Sequence, residues 1–385
     1  MASDRTAPLR RGWTTGACAA AAARAAFAAL LTGRFPDPVT IRLPGGQTPR
    51  FPLALAERAD GCASAGIVKD AGDDPDVTHG ALIVAELTWA ASGSGICFRA
   101  GVGVGTVTRP GLPLAVGEPA INPAPRAIIR GQLDEVAEAN GAPPPDVTVT
   151  IAIPDGERLA EKTMNRRLGI IGGLSVLGTT GIVVPYSCAS WIHAIHRGID
   201  VARAAGLGHI VAATGTTSEK AVQRLYGLPE PALIDMGDFV GGTLKYLRSH
   251  PVPRLTLAGG FAKLAKLAAG HLDLHSSRSR IDPAMLAALL ADAGGAPDMV
   301  AAASRRDSAG EILDLAGPLG PFLAEHVARR AREVALATLS GDTAIEVAIV
   351  DRAGAFLARV GVLGPGVPGP GVPGPGVPGP GEIAA

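Results

Sequence analysis

Four aspartates, Asp70, Asp73, Asp74 and Asp76, fall within seven positions of the run Lys69-Asp70-Ala71-Gly72-Asp73-Asp74-Pro75-Asp76-Val77-Thr78. Carboxylates at that density can hold a hard cation, move protons or cap the backbone of a polar turn. No glutamate stands at calcium-loop spacing, so the turn is the simpler reading, and the candidates for any proton-handling group are Asp73 and Asp74. A second set is basic. Lys263 and Lys266, three apart on a helical pattern, share one face and suit carboxylates. With His271, His275, Arg278 and Arg280 they make six anion-binding candidates across residues 263–280, against one acid, Asp273. His193 and His196 have the spacing of a metal pair on a helix, but no third ligand is near, which favours packing. Gly101-Val102-Gly103-Val104-Gly105 imitates a phosphate loop, yet Arg109-Pro110-Gly111 follows instead of a helix, so it reads as a strand with tight turns. The chain has neither a Walker lysine motif nor a GxSxG elbow.

The elements that must position these residues are announced locally. Gly12-Trp13-Thr14-Thr15-Gly16 puts a threonine cap before an alanine-rich helix over 17–31, with Gly33 as its stop. Short β-patterned runs follow at 39–43, 63–68, 81–90 and 96–99, then a helix over 127–139, a break at Pro143-Pro144-Pro145 and a strand over 147–153. The pattern predicts an α+β N-terminal domain, residues 1–155. Beyond it, β-branched runs at 181–184, 209–213, 232–236 and 255–258 alternate with helical windows at 190–205, 218–226, 239–247 and 262–269. That alternation predicts an α/β domain, residues 156–361, Rossmann-like and built on a mainly parallel sheet. Ligands of such sheets sit beyond the carboxyl ends of the strands, here residues 185–190, 214–217, 235–238 and 259–260. Residues 364–378 are three copies of Gly-Pro-Gly-Val-Pro, which offer little to bury, so 362–385 is expected to be a disordered tail.

Composition removes several classes of function. At roughly 150 residues per domain, 385 residues make two to three domains. Lys+Arg and Asp+Glu balance at 35 each, and only 3 Trp, 3 Tyr and 8 Phe are present, which argues against a nucleic-acid partner. Four widely spaced cysteines without a CxxC suggest neither zinc nor a disulfide framework, and point to a reduced, cytoplasmic setting. Arg10-Arg11 before the alanine run imitates an export signal, but Arg24 interrupts the apolar stretch. Residues 168–192 lack formal charge, yet contain five glycines and Pro185, so a buried strand-loop-helix is expected, not a membrane span.

Six segments stand in order along the chain: Leu9-Arg10-Arg11-Gly12-Trp13-Thr14-Thr15-Gly16, the aspartate run from Val68 to Thr78, Val116-Gly117-Glu118-Pro119-Ala120-Ile121-Asn122-Pro123, Gly173-Leu174-Ser175-Val176-Leu177-Gly178-Thr179-Thr180-Gly181-Ile182-Val183, Asp238-Phe239-Val240-Gly241 and Lys263-Leu264-Ala265-Lys266-Leu267-Ala268-Ala269-Gly270. Together they resemble the CbiD-type cobalt-precorrin-5B C(1)-methyltransferase family of anaerobic cobalamin synthesis. The resemblance implies methyl transfer from S-adenosyl-L-methionine to ring carbon C1 of a corrinoid precursor, with cobalt present only as part of the substrate and no resident metal. It implies a donor site in the C-terminal domain, for which Ser175, Gly178, Thr179, Thr180, Gly181, Thr214, Gly215, Asp235 and Asp238 are the candidates, the two aspartates for the ribose. The macrocycle carries acetate and propionate groups, so its candidates are Arg10, Arg11, Thr14, Thr15, Lys69, Arg109, Arg126, Lys263, Lys266 and His275. The rival readings are a non-catalytic corrinoid-precursor carrier and an unrelated nucleotide-dependent enzyme. A homo-oligomer is left open.

Overall fold

Helix α1 (Thr15–Thr32) is the centre of the N-terminal unit in this computed structural model, which describes residues 8–361. The predicted tail lies outside the described residues. Thr14 caps α1, its hydroxyl accepting the Ala17 N–H at 3.1 Å, and Gly33 ends the helix at φ +80°, a conformation that costs glycine nothing. Every residue from Ala17 to Ala23 is 0% exposed. Side chains that small let the helix axis approach its neighbours closely, and α1 lies against two strands of a sheet on one side and α2 (Pro123–Ala139) on another. Arg24 is its polar exception, donating to Gln132 at 2.9 Å and Glu135 at 2.7 Å on α2. Among the described residues α1 alone is long and apolar enough to cross a bilayer.

The sheet consists of β1 (Leu55–Ala59), β2 (Cys62–Val68), β3 (Leu82–Trp89), β4 (Ile96–Ala100) and β5 (Val147–Ala152), in the order β1-β2-β3-β5-β4. All neighbours are antiparallel except β4 and β5. Ala63, Ala65, Ile67, Ile83, Ala85, Leu87, Val147, Val149 and Ile151 are buried at every second position, the period-two pattern of a face turned to a core, with Gly66 buried as well. The Gly101–Gly105 motif is a tight loop and not a strand. At Gly103, φ +72°, a Cβ would meet the Ile153 carbonyl oxygen at 1.9 Å.

The chain divides between Trp191 and Ile192, not near residue 155. Pairing is the reason: Ile182–Val183 bonds antiparallel to Gly12–Trp13, and Ile170–Ile171 to Thr106–Val107, so both short strands fold back on the N-terminal half. The run read as a strand of the parallel sheet at 181–184 belongs here instead.

Helix α3 (Cys188–Ala204) leads into the C-terminal unit. It contains β6 (His209–Ala213), α4 (Thr216–Tyr226), β7 (Leu233–Asp235), α5 (Val240–Ser249), β8 (Arg254–Gly260), α6 (Phe261–Ala268), α7 (Gly320–Leu339), β9 (Ala344–Val350) and β10 (Phe356–Val360). Three further helices, Pro283–Asp292, Pro297–Ala303 and Ala309–Ala316, precede α7. The sheet order is β7-β6-β8-β9-β10, parallel except for the β9–β10 pair. Ile210, Leu255, Leu257 and Val347 face a core shared with α3, α5, α6 and α7, whereas Val211, Ala213, Ala258 and Ala348 face α4. Both units are therefore mixed α/β with sheets of mixed strand orientation.

Candidate functional site

In the C-terminal unit three parallel strands end side by side, with Ala213 level with both Asp235 and Ala258. Helix α4 begins after β6 with Gly215 as its cap, and α6 after β8 with Gly260; neither cap makes a side-chain hydrogen bond. The unpaired first-turn N–H groups of helices attract anions. Thr214 donates its N–H to Ala258 at 2.8 Å, and a Cβ at Gly259 would stand 2.8 Å from its hydroxyl, so glycine there admits the threonine. Beyond β7 the N–H groups of Met236 and Gly237 both return to the Ala213 carbonyl, at 3.0 and 3.1 Å, a turn that delivers Asp238. Asp238 forms an ion pair with Lys263 on α6.

The two lysines of α6 differ. Lys263 stays partly exposed at the strand ends, whereas Lys266 is 8% exposed and donates to the Leu274 carbonyl at 3.0 Å. Burial, then the charge of Lys263, pulls the Lys266 ammonium below the usual lysine range. His275 is exposed, its N–H bonded to Asp273 and its ring to Ser277. Arg278 pairs with Asp273 at 2.8 Å, so the basic stretch is partly neutralised where it stands.

In the N-terminal unit the start of α1 gathers three segments distant in sequence. Thr14 and Gly16 donate their N–H groups to the carbonyls of Gly181 and Leu177, and the Thr15 hydroxyl exchanges bonds with the Leu177 backbone at 3.1 and 3.2 Å. Gly178 must be glycine because its Cβ would overlap Thr14 at 2.3 Å. Arg10 pairs with Asp70 through both oxygens, which, with the Gly72 N–H, holds that carboxyl down at about 2. Asp73 accepts the Arg10 N–H at 2.7 Å and Asp74 the Tyr186 N–H at 2.8 Å. Both candidate proton-handling carboxylates thus brace backbone. Ser175 bonds to Asn165 at 3.3 Å, Thr180 to both backbone groups of Ile182, and Thr179 is exposed.

The structure sorts the remaining predicted cations by their partners. Lys69 is 1% exposed and paired with Asp76 at 2.6 Å, a buried brace of the aspartate loop. Arg126 bonds to the carbonyls of Ile121 and Pro119 and to Glu118, clamping the 116–123 segment from within. Arg11 is exposed. Arg109 has a buried Nη1 with no hydrogen-bond partner. His196 stacks on Tyr246 at 3.8 Å and Tyr246 on His250 at 3.9 Å, and among the described residues no three metal-ligating side chains converge. Sequence reasoning missed Asp70 and Asn165 as the partners of Arg10 and Ser175. It also missed a buried network in which Glu346 receives Thr256, Tyr226 and Arg359, and His209 bonds to Thr256. A lone glutamate inside the apolar run Ala344–Val350 was the available signal.

An α/β chain with anion-attracting helix starts at the ends of parallel strands is a ligand-binding architecture. The family model described as "CbiD" matches residues 2–185, and "CbiD, C-terminal domain" matches residues 273–361. A cobalt-precorrin-5B C(1)-methyltransferase of Bradyrhizobium sp. (strain BTAi1) is 60% identical over 353 residues, covering 91% of this chain and 94% of that protein. Its counterpart from Brucella anthropi is 56% identical over 359 residues, covering 93% and 97%. A 1.9 Å crystal structure of a cobalamin biosynthesis protein (cbiD) from Archaeoglobus fulgidus is 30% identical, covering 70% of this chain and 83% of that one, with a TM-score of 0.39. The chain belongs to the cobalt-precorrin-5B C(1)-methyltransferase family.

Proposed function

We propose that the chain methylates C1 of cobalt-precorrin-5B to give cobalt-precorrin-6A in cobalamin biosynthesis, with S-adenosyl-L-methionine as donor. The observation that carries the activity is 56–60% identity, across 91–93% of the chain, to curated enzymes of that name. An enzyme reading is favoured over the carrier reading on the same ground. In the transfer, the ring's π electrons attack the sulfonium methyl carbon, the new C–C bond forms at C1, and the C–S electron pair leaves on a neutral thioether. Such a step depends mainly on aligning the two molecules, which suits a site whose candidate carboxylates are already engaged.

The donor reading places S-adenosyl-L-methionine in the C-terminal unit, read as Rossmann-like. Asp235 ends β7, twenty residues beyond Gly215 at the first strand-helix turn, the spacing at which an acid reaches a ribose hydroxyl in dinucleotide folds. Lys263, Asp238 and the start of α6 offer charge for the amino-acid end of the donor. Of the donor candidates, Ser175 to Gly181 lie in the N-terminal unit, where Leu177 and Gly178 meet Thr15 and Thr14. They join Arg10 and Arg11 in a corrinoid-binding contribution of the N-terminal unit. The four unpaired cysteines suit a reducing cytoplasm.

The test is single-turnover incubation of cobalt-precorrin-5B with methyl-labelled S-adenosyl-L-methionine. Label in the corrinoid with release of S-adenosylhomocysteine is expected. Corrinoid binding without transfer would favour the carrier and refute the assignment.

A further inference from the structure

Three residues other than glycine stand at positive φ among the described residues: Asp155, Tyr186 and Ser340. Asp155 and Ser340 are short polar residues beside helices, and each has a local side-chain hydrogen bond, with Arg158 and with the Ala337 carbonyl. Tyr186, at φ +56°, is neither short nor bonded through its side chain. It takes the second central position of a turn led by Pro185, where glycine is at ease and a bulky residue is strained.

Asp74 holds it there. Adjacent aspartates take the N–H groups of the two chain ends that leave the Gly12–Val183 pair: Asp73 that of Arg10 at 2.7 Å, Asp74 that of Tyr186 at 2.8 Å. Nothing among the described residues offsets the strain from the ring side, since Tyr186 is 65% exposed and its ring makes no aromatic or cation–π contact. A ring held outward in a strained turn fits a contact surface.

The surroundings select what touches it. Leu9 and Val184, on the same two chain ends, are exposed as well, so the tyrosine has apolar company. The charges disfavour an acidic group. Arg10 is taken by Asp70, which leaves Arg11 for two carboxylates, Asp73 and Asp74, that meet only backbone donors. A carboxylate arm gains little in that field, whereas an apolar ring system gains from all three side chains. A partner protein would need about 800 Å² on each side, and three side chains suit one face of a small molecule instead.

We propose that Tyr186 is a contact residue for the corrinoid, its ring laid against the macrocycle itself and not against an acidic arm, and that Asp74 is the positioning residue that keeps it there. This rests on the corrinoid reading above.

The experiment measures binding of a stable cobalt corrin, cobyrinic acid, and of its methyl ester by equilibrium dialysis, with thermal melts of each unliganded variant. Tyr186→Gly should weaken both corrins by about ten-fold or more and by the same factor, because the lost contact is with the ring they share. Its melting temperature should equal or exceed the parent's, since glycine adopts this φ freely, and its affinity for S-adenosylhomocysteine should match the parent's. Tyr186→Phe, which keeps the ring, should bind both corrins within about three-fold of the parent. Asp74→Ala should weaken corrin binding in the parent and add nothing in the Tyr186→Gly background, the non-additivity of a residue that acts through another. Asp74→Asn, which keeps an oxygen acceptor, should recover the loss. Parent-like binding by Tyr186→Gly, a loss confined to the acid, or a loss by Tyr186→Phe as large as by glycine overturns the proposal. So does a fall of several degrees in the melting temperature of Tyr186→Gly, which would make the tyrosine a packing residue. Equal losses from Asp74→Ala in both backgrounds overturn the positioning role. Failure of the parent to bind either corrin would refute the corrinoid reading itself, a result distinct from binding that ignores Tyr186.

Discussion

Arg359→Met should destabilise the C-terminal unit by about 3–5 kcal/mol, the usual effect of stranding the other member of a buried ion pair. Glu346 is 0% exposed in the middle of β9. Its Oε1 receives Arg359 at 2.9 Å, and its Oε2 receives Tyr226 at 2.9 Å and Thr256 at 2.8 Å. The arginine lies 5.5 Å from the centroids of both Tyr226 and Phe356, so methionine keeps part of that packing while removing the charge. The two hydroxyl donors that remain cannot neutralise a carboxylate surrounded by apolar strands. For a unit of this size about 1 kcal/mol corresponds to 2–4 °C, which translates to a fall of about 6–20 °C in its melting temperature. Thermal and urea melts of the parent, Arg359→Met, Glu346→Gln and the double variant close a double-mutant cycle. Removing both charges should restore most of the loss. A single variant melting within a degree or two of the parent, or a double variant no better than Arg359→Met, would refute the claim that the carboxylate is buried and charged.

The same network carries a pH signature: burial, then the charge of Arg254, lowers the His209 imidazole from 6.5 to about 4. The unfolded chain then takes up this proton before the folded one, so stability is full above pH 6.5 and falls by up to about 3 kcal/mol as pH drops toward 4. Urea melts across that window should show the slope in the parent and lose it in His209→Gln; equal slopes would remove His209 from the account. At the strand ends, Asp235→Ala and Asp238→Ala, made separately, should reveal a loss of about 1.5–3 kcal/mol in S-adenosylhomocysteine binding for at least one of them by calorimetry. Parent-like affinity in both variants would take the donor out of this site.

What the sequence determined about this protein is local. The cap at Thr14 and the stop at Gly33 bound α1 because both are decided by the backbone of one turn. The strand over 209–213 and the turns after β6 and β7 were legible because apolar β-branched runs and glycines act within a few residues. The edge strand β1 was missed, since Leu-Ala-Glu-Arg-Ala alternates weakly and gains its pairing from β2. Only tertiary structure decided which half owns Ile182–Val183, because a two-residue strand is defined by its partner, here Gly12–Trp13. The same holds for charge. Residue type showed that Arg10, Lys69, Arg109, Arg126, Lys263 and Lys266 can bind anions, but not which are already bound. Asp70 lies sixty residues from Arg10 and Asp238 twenty-five from Lys263, separations across which spacing says nothing. An ion pair forms where the folded backbone sets its two ends within a few ångströms, and that same folding left the buried nitrogen of Arg109 without an acceptor.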